Sequence, residues 1–193
     1  MLNDAYKYRK TEGIYPSFLH EGMTRQRIST RRLLLMSFFV ALSLSLYVAE
    51  FFLPILPIVP GVKIGLANIV TIYVLVHFRF REALAVLLIR IFLGACLIGA
   101  VSALPFSAAG GLSSLFFCLL LLRFLPNLPL WFLGAMGGAV HNTGQILIAT
   151  IWLSSTDVFF YYPVLLLSGI TAGLVTGGCA QLLDKRLNKV SLK

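Results

Sequence analysis

Residues 31–54 read RRLLLMSFFVALSLSLYVAEFFLP: an arginine pair, an almost unbroken apolar run over 33–53, and a proline. About 20 apolar residues in a helix match the roughly 30 Å hydrocarbon core of a bilayer. The run is aliphatic-rich and does not alternate, so it does not fit a barrel strand. Backbone groups in lipid must then bond within the segment, as a helix. It is also longer than the apolar core of a cleaved leader and carries Glu50 near its end, so it reads as the first helix of the mature protein. Pro54 ends that helix, because proline lacks the N–H that would continue it.

The rest of the chain repeats this pattern. Of 193 residues, 59% are hydrophobic and 12% charged, with a mean hydropathy of +0.91; soluble domains carry about 25% charge. Further apolar runs cover 64–78, 83–104, 111–122, 129–153 and 160–183. The expected fold is therefore an all-α membrane protein of six transmembrane helices. It divides into a poorly ordered N-terminal tail over 1–32, a membrane domain over 33–183 and a basic tail over 184–193. The runs 64–78 and 111–122 are short and predict tilt, borrowed flanking residues or a thinned bilayer.

The net charge of +9 is not spread evenly. Arg25, Arg27, Arg31 and Arg32 precede the first run, Arg79 and Arg81 follow the second, and Arg123 closes the fourth. Lys185, Arg186, Lys189 and Lys193 follow the sixth. If six helices alternate in direction, all of these share one side, and the positive-inside rule makes that side, with both termini, cytoplasmic. Such a distribution is the ordinary outcome of insertion and gives no reason to expect a nucleic-acid partner.

Chemical signatures are few. No phosphate-binding loop ends in Gly-Lys-Ser/Thr, so the chain does not power itself with ATP. Cys96, Cys118 and Cys179 are isolated and no metal-ligand spacing occurs. Asp4, Asp157 and Asp184 lie far apart, unlike the clustered carboxylates of a magnesium diphosphate site. No catalytic residue, metal or cofactor is expected.

Small residues recur at four-residue spacing in three runs: Ala41, Ser45 and Ala49; Gly134 and Gly138, leading to Asn142; and Gly169, Gly173 and Gly177. Each series smooths one helix face for close approach, either inside the bundle or against another membrane protein. Pro54, Pro57 and Pro60 favour a semi-rigid extended connector.

Against this background the polar residues stand out, because ionisable groups in a membrane cost roughly 3 kcal/mol or more and ask for a partner or a purpose. Glu50 sits near the end of the first run, Lys63 and Asn68 at the start of the second, and Arg90 inside the third. The fifth carries His141, Asn142 and Gln145, with His141 and Gln145 on one face and Gly137 a turn before them. Depth along alternating helices biases the set toward the outer half, as expected for a pocket open to the outside. Arginine and lysine there suit a carboxylate or phosphate, with apolar walls for the remainder. A second reading stays open: Glu50 neutralises Lys63 or Arg90 as a structural ion pair, and the amides tie helices together.

The stretches PGVKIGLANIVT (60–71), REALAVLLIRIFLG (81–94), SAAGGLSSL (107–115) and GAVHNTGQ (138–145) together resemble the Gx transporter family, also known as heptaprenyl diphosphate synthase component I, over about residues 33–183. That family is similar to the substrate-binding S components of energy-coupling factor transporters. The resemblance implies a bacterial plasma-membrane protein that captures a small solute and works with a transmembrane coupling subunit and two cytoplasmic ATPases. It also implies that Ala41, Ser45 and Ala49 dock the coupling subunit and that the first outer loop helps close the site. From their shared depth, Arg90 and Lys63 are expected to hold an acidic end, Asn68, Asn142 and Gln145 to orient the ligand, His141 to line the base and Glu50 to fix Lys63 or Arg90. The alternative is a non-catalytic accessory subunit of prenyl diphosphate or quinone-precursor synthesis. A third reading is a membrane anchor of an electron-transfer complex, which predicts a redox partner and no solute binding.

Overall fold

A computed structural model describes residues 30–52 and 65–191. Lys63 and the Pro54, Pro57 and Pro60 connector lie outside the described residues, as does most of the N-terminal segment. Among the described residues the fold is all-helical, with six α-helices: α1 (Thr30–Phe52), α2 (Leu66–His77), α3 (Phe80–Ile98), α4 (Leu104–Phe124), α5 (Leu130–Leu153) and α6 (Tyr162–Ser191). Short 3₁₀ turns at Val101–Ala103 and Thr156–Tyr161 precede α4 and α6.

The expected third run over 83–104 is divided in two. Gly99 takes the left-handed conformation (φ 73°) that closes α3, and its N–H bonds back to Cys96 O. After the 3₁₀ turn, α4 starts at Leu104 with Pro105 in its first turn, where a missing N–H costs nothing. The fourth helix therefore begins well before the expected position 111, and SAAGG lies inside it rather than in a connector. Gly110 and Gly111 are buried there against α5 and α3 side chains, and membrane helices tolerate glycine where packing is close. At the other terminus the chain does not leave the helix at 184: α6 continues through Ser191.

Three of the helical segments, Arg32–Phe52, Val101–Phe124 and Thr156–Arg186, are long and apolar enough to cross a membrane. Large apolar side chains face outward along them and their neighbours, including Leu34, Phe38, Phe116 and Leu167. On α5, Trp131 and Trp152 are 45% and 65% exposed. At 1.5 Å per residue they stand about 31 Å apart, the spacing of the two interfaces where tryptophan concentrates. This is a membrane protein. The short helix α2 keeps its length by being enclosed: Ala67, Val70, Val74 and Leu75 are almost wholly buried against the surrounding helices.

The most extensive helix contact joins α5 to α6. The expected glycine stripes face each other there. A Cβ at Gly138 would be driven into the Gly169 carbonyl, and one at Gly173 into that of Gly134. Asn142 extends the same stripe; its Nδ2 donates to Leu165 O at 2.5 Å and Ser168 Oγ at 3.4 Å. By contrast Ala41, Ser45 and Ala49 of α1 are all exposed, on the face turned away from the bundle.

Short connections make α2 through α6 successively antiparallel, so the bundle has two ends. At one, the His77 end, Arg32 of α1 pairs with Glu82 of α3, and Glu82 also accepts the Arg79 N–H at 2.8 Å. His77 Nε2 meets Asp184 Oδ1 of α6 at 2.8 Å, its Nδ1 lies 3.0 Å from Tyr73 O, and its ring stacks on Tyr73. At the opposite, Gly65 end, Glu50 near the close of α1 meets the start of α2.

Candidate functional site: a polar cavity inside the bundle

A cavity of about 380 Å³ lies among all six helices. Its lining contains Glu50, Asn68, Arg90, His141, Asn142 and Gln145, so every described member of the polar set borders one space. They reach it from α1, α2, α3 and α5. Lys63 lies outside the described residues, two positions before Gly65, which is itself in the lining.

Arg90 is the centre of the site. It projects from the middle of α3, about 15 Å along the helix from Phe80, and is only 6% exposed. One Nη donates to Asn68 Oδ1 at 3.3 Å, while the buried Nε has no hydrogen-bond partner. A guanidinium has five N–H donors and is charged at any ordinary pH. Buried polar groups in native proteins are nearly always satisfied, so each exception calls for an explanation. A second orphan borders the same space: Thr71 Oγ1 on α2 is buried without a partner.

Of the two partners expected for Glu50, Lys63 lies outside the described residues and Arg90 is not in ion-pair contact with it. The Glu50 carboxylate accepts the N–H groups of Gly65 (2.5 Å) and Leu66 (3.0 Å). These are orphan donors at the start of α2, where a helix has no intrahelical acceptors and its dipole favours negative charge. Gly65 adopts φ 75°, which turns both N–H groups into position. Glu50 thus pins the end of α1 to the start of α2 and acts on Arg90 by charge without an ion-pair contact. The Nδ2 group of Asn142 is engaged with α6, so this amide does what the helix-tying reading expected.

His141 and Gln145 share the α5 face turned toward α4, as their spacing predicts. The space for them comes from an unexpected glycine. A Cβ on Gly110 of α4 would fall 2.8 Å from Gln145 Cγ and 2.9 Å from His141 Nε2, whereas the gap at Gly137 is filled by Cys118 and Ser114. Tyr47 also lines the cavity and went unnoticed in the sequence; its ring lies over Gly94, where a Cβ would approach it to 2.7 Å. It stands three residues before Glu50 on the same helix face, the spacing that would have found it. Thr71, Ser107 and Ser114 were likewise missed, because hydroxyl side chains are common in apolar helices and carry no signal alone.

Toward the His77 end the wall carries Leu75, Leu87, Leu115 and Cys118 together with the hydroxyl side chains of Ser114 and Thr176. No group of three or more His, Cys, Asp or Glu side chains that could hold a metal occurs among the described residues. The arrangement is therefore an enclosed cationic centre with neutral donors around it and hydrocarbon walls beyond it. Such a space can bind an amphiphilic anion.

In comparison with known proteins, the model of one family, described as heptaprenyl diphosphate synthase component I, matches residues 39–183, well over half of the chain. No curated protein and no solved structure matches it.

Proposed function

The chain belongs to the heptaprenyl diphosphate synthase component I family, and on that premise we propose that it is a membrane-embedded solute-binding subunit with no catalytic step of its own. It spans the membrane six times, with the His77 end and both termini in the cytoplasm. The exposed Arg81, Arg123, Lys185 and Arg186 at that end support this orientation. The solute is small, anionic and partly hydrophobic, and it enters from the Gly65 end.

The observation that carries this reading is the buried guanidinium of Arg90, outside ion-pair contact among the described residues and with an unpartnered Nε, facing a cavity of about 380 Å³. An ionised group in this position is a functional-site hypothesis by default. Asn68 orients the guanidinium, and Gln145 and His141 supply neutral groups from the opposite wall. Equilibrium binding to the purified protein tests the assignment: Arg90→Ala and His141→Ala weaken solute binding, and unchanged binding in both removes it.

Two destinations for the solute follow from two observations. The family description favours a synthase complex, in which this chain is the membrane-embedded accessory subunit beside a soluble synthase. The exposed small-residue face of α1, at Ala41, Ser45 and Ala49, favours a transporter, in which that face docks a transmembrane coupling subunit working with two cytoplasmic ATPases. Affinity purification from native membranes separates them. A co-purifying aspartate-rich soluble synthase supports the first and ATPase subunits support the second.

A further inference from the structure

The threonines of the bundle provide an internal control. Thr143, Thr150, Thr171 and Thr176 each donate their hydroxyl to a carbonyl three or four residues back on their own helix, the ordinary way to satisfy a hydroxyl in an apolar helix. Thr71 of α2 does not, and its buried Oγ1 has no partner among the described residues. The cause lies on α1. The carbonyl four residues before Thr71 is that of Ala67, and it accepts the hydroxyl of the fully buried Ser43 at 3.4 Å. A carbonyl oxygen has two lone pairs; the helical N–H of Thr71 takes one and Ser43 the other, which leaves no place for the threonine hydroxyl.

Asn68, Thr71, Ile72 and Leu75 all border the cavity, at the spacing of a single helix face. Thr71 therefore stands one turn from Asn68, whose Oδ1 accepts the Arg90 Nη–H at 3.3 Å. Two unmet donors, Thr71 Oγ1 and Arg90 Nε, thus belong to residues that border one space and are linked through Asn68. A guanidinium only donates, and a hydroxyl with no acceptor of its own can donate beside it, so a group with two acceptor oxygens satisfies both. We propose that Thr71 is a solute-contacting residue: its hydroxyl and the Arg90 Nε–H receive two oxygens of one oxyanion, a carboxylate or a phosphate. Asn68 positions the arginine, and Ser43 acts through Ala67 to keep the threonine hydroxyl available. This rests on the solute-binding reading above and adds to it the contact on α2.

The test uses the full-length protein in lipid nanodiscs, with binding to empty nanodiscs subtracted. Fluorine NMR titrations compare para-fluorobenzoate, para-fluorophenyl phosphate and the neutral para-fluorobenzamide. One of the two anions is expected to bind at least tenfold more tightly than the amide, and the tighter of them names the head group. Thr71→Val removes the hydroxyl at nearly constant volume and weakens that anion about tenfold. The melting temperature of the same variant without probe is unchanged or higher, because no bond is lost. Thr71→Ser keeps the hydroxyl and most of the affinity. Ser43→Ala also weakens the anion, by returning the Ala67 carbonyl to Thr71. Thr150→Val, which removes a hydroxyl bonded on its own helix and outside the cavity lining, leaves the affinity unaltered. Anion binding that Thr71→Val does not change, or a Thr71→Val protein that melts clearly lower or fails to fold, overturns the Thr71 assignment, while Arg90-dependent binding keeps the solute-binding reading. An amide that binds as tightly as both anions, with no probe depending on Arg90, overturns both.

Discussion

Two arginines of the same bundle meet opposite circumstances. At the His77 end, Arg32 is 31% exposed and pairs with Glu82, which also caps α3, and nearby His77 meets Asp184. In mid-bundle, Arg90 is 6% exposed, makes one long bond to Asn68, and has no carboxylate in ion-pair contact among the described residues. The nearest candidate, Glu50, is held by the first N–H groups of α2. Pairing charges at an interface stabilises a fold modestly; burying a charge with unmet donors costs several kcal/mol. A buried charge kept out of ion-pair contact, at a cost to stability, marks a place where the fold has kept a group for something other than stability.

The largest expected effect concerns that open charge. Replacing Arg90 by Met removes two charge-assisted hydrogen bonds to a bound anion, about 1.5 kcal/mol each, so affinity falls on the order of 100-fold. The same substitution relieves an unpaired buried charge, and thermal unfolding in detergent should show a melting temperature equal to or above that of the wild type. A clearly lower one would place Arg90 with the structural charges and dissolve the contrast. Next in size is Glu50→Ala, which strips the cap from α2 and should cost about 1 kcal/mol of stability. Binding falls only as far as α2 shifts, measured by unfolding and by equilibrium binding on the same preparation.

Smaller effects belong to the paired end. Asp184→Asn breaks the contact to His77, whose partners are 17% and 24% exposed, and should cost under about 1 kcal/mol while leaving solute affinity unchanged. Arg32→Met, at the more exposed pair, should change stability by no more than about 0.5 kcal/mol. Either substitution altering solute affinity tenfold would mean that the two ends are coupled rather than distinct.

Much of this contrast was legible in the sequence, in specific places. The runs at 33–53 and 129–153 became α1 and α5 almost residue for residue, because length and apolarity alone specify a helix in lipid. The break at Gly99 was not legible. The surrounding run stays apolar from 83 to 104, and glycine is as common inside membrane helices as at their ends. Depth arithmetic along alternating helices grouped Glu50, Lys63, Asn68, Arg90, His141, Asn142 and Gln145, and the six described members border one cavity. Glu50 was expected to face Lys63 or Arg90; the bonds its carboxylate accepts come from the backbone N–H groups of Gly65 and Leu66, which no side-chain pattern advertises. Asn142 stands on the Gly134–Gly138 stripe in the sequence itself, and that stripe, rather than its neighbours His141 and Gln145, dictated its role. Thr71 gave no warning at all, since threonine normally satisfies its hydroxyl on its own helix and only coordinates reveal one that does not.

Native mass spectrometry of the intact protein, released from detergent beside its Arg90→Gln variant, tests the central claim most directly. The account predicts a retained small anion on the wild-type chain that is missing from the variant, with both proteins folded. An equal mass for the two apart from the substitution, whether each carries the same molecule or neither carries any, would contradict it.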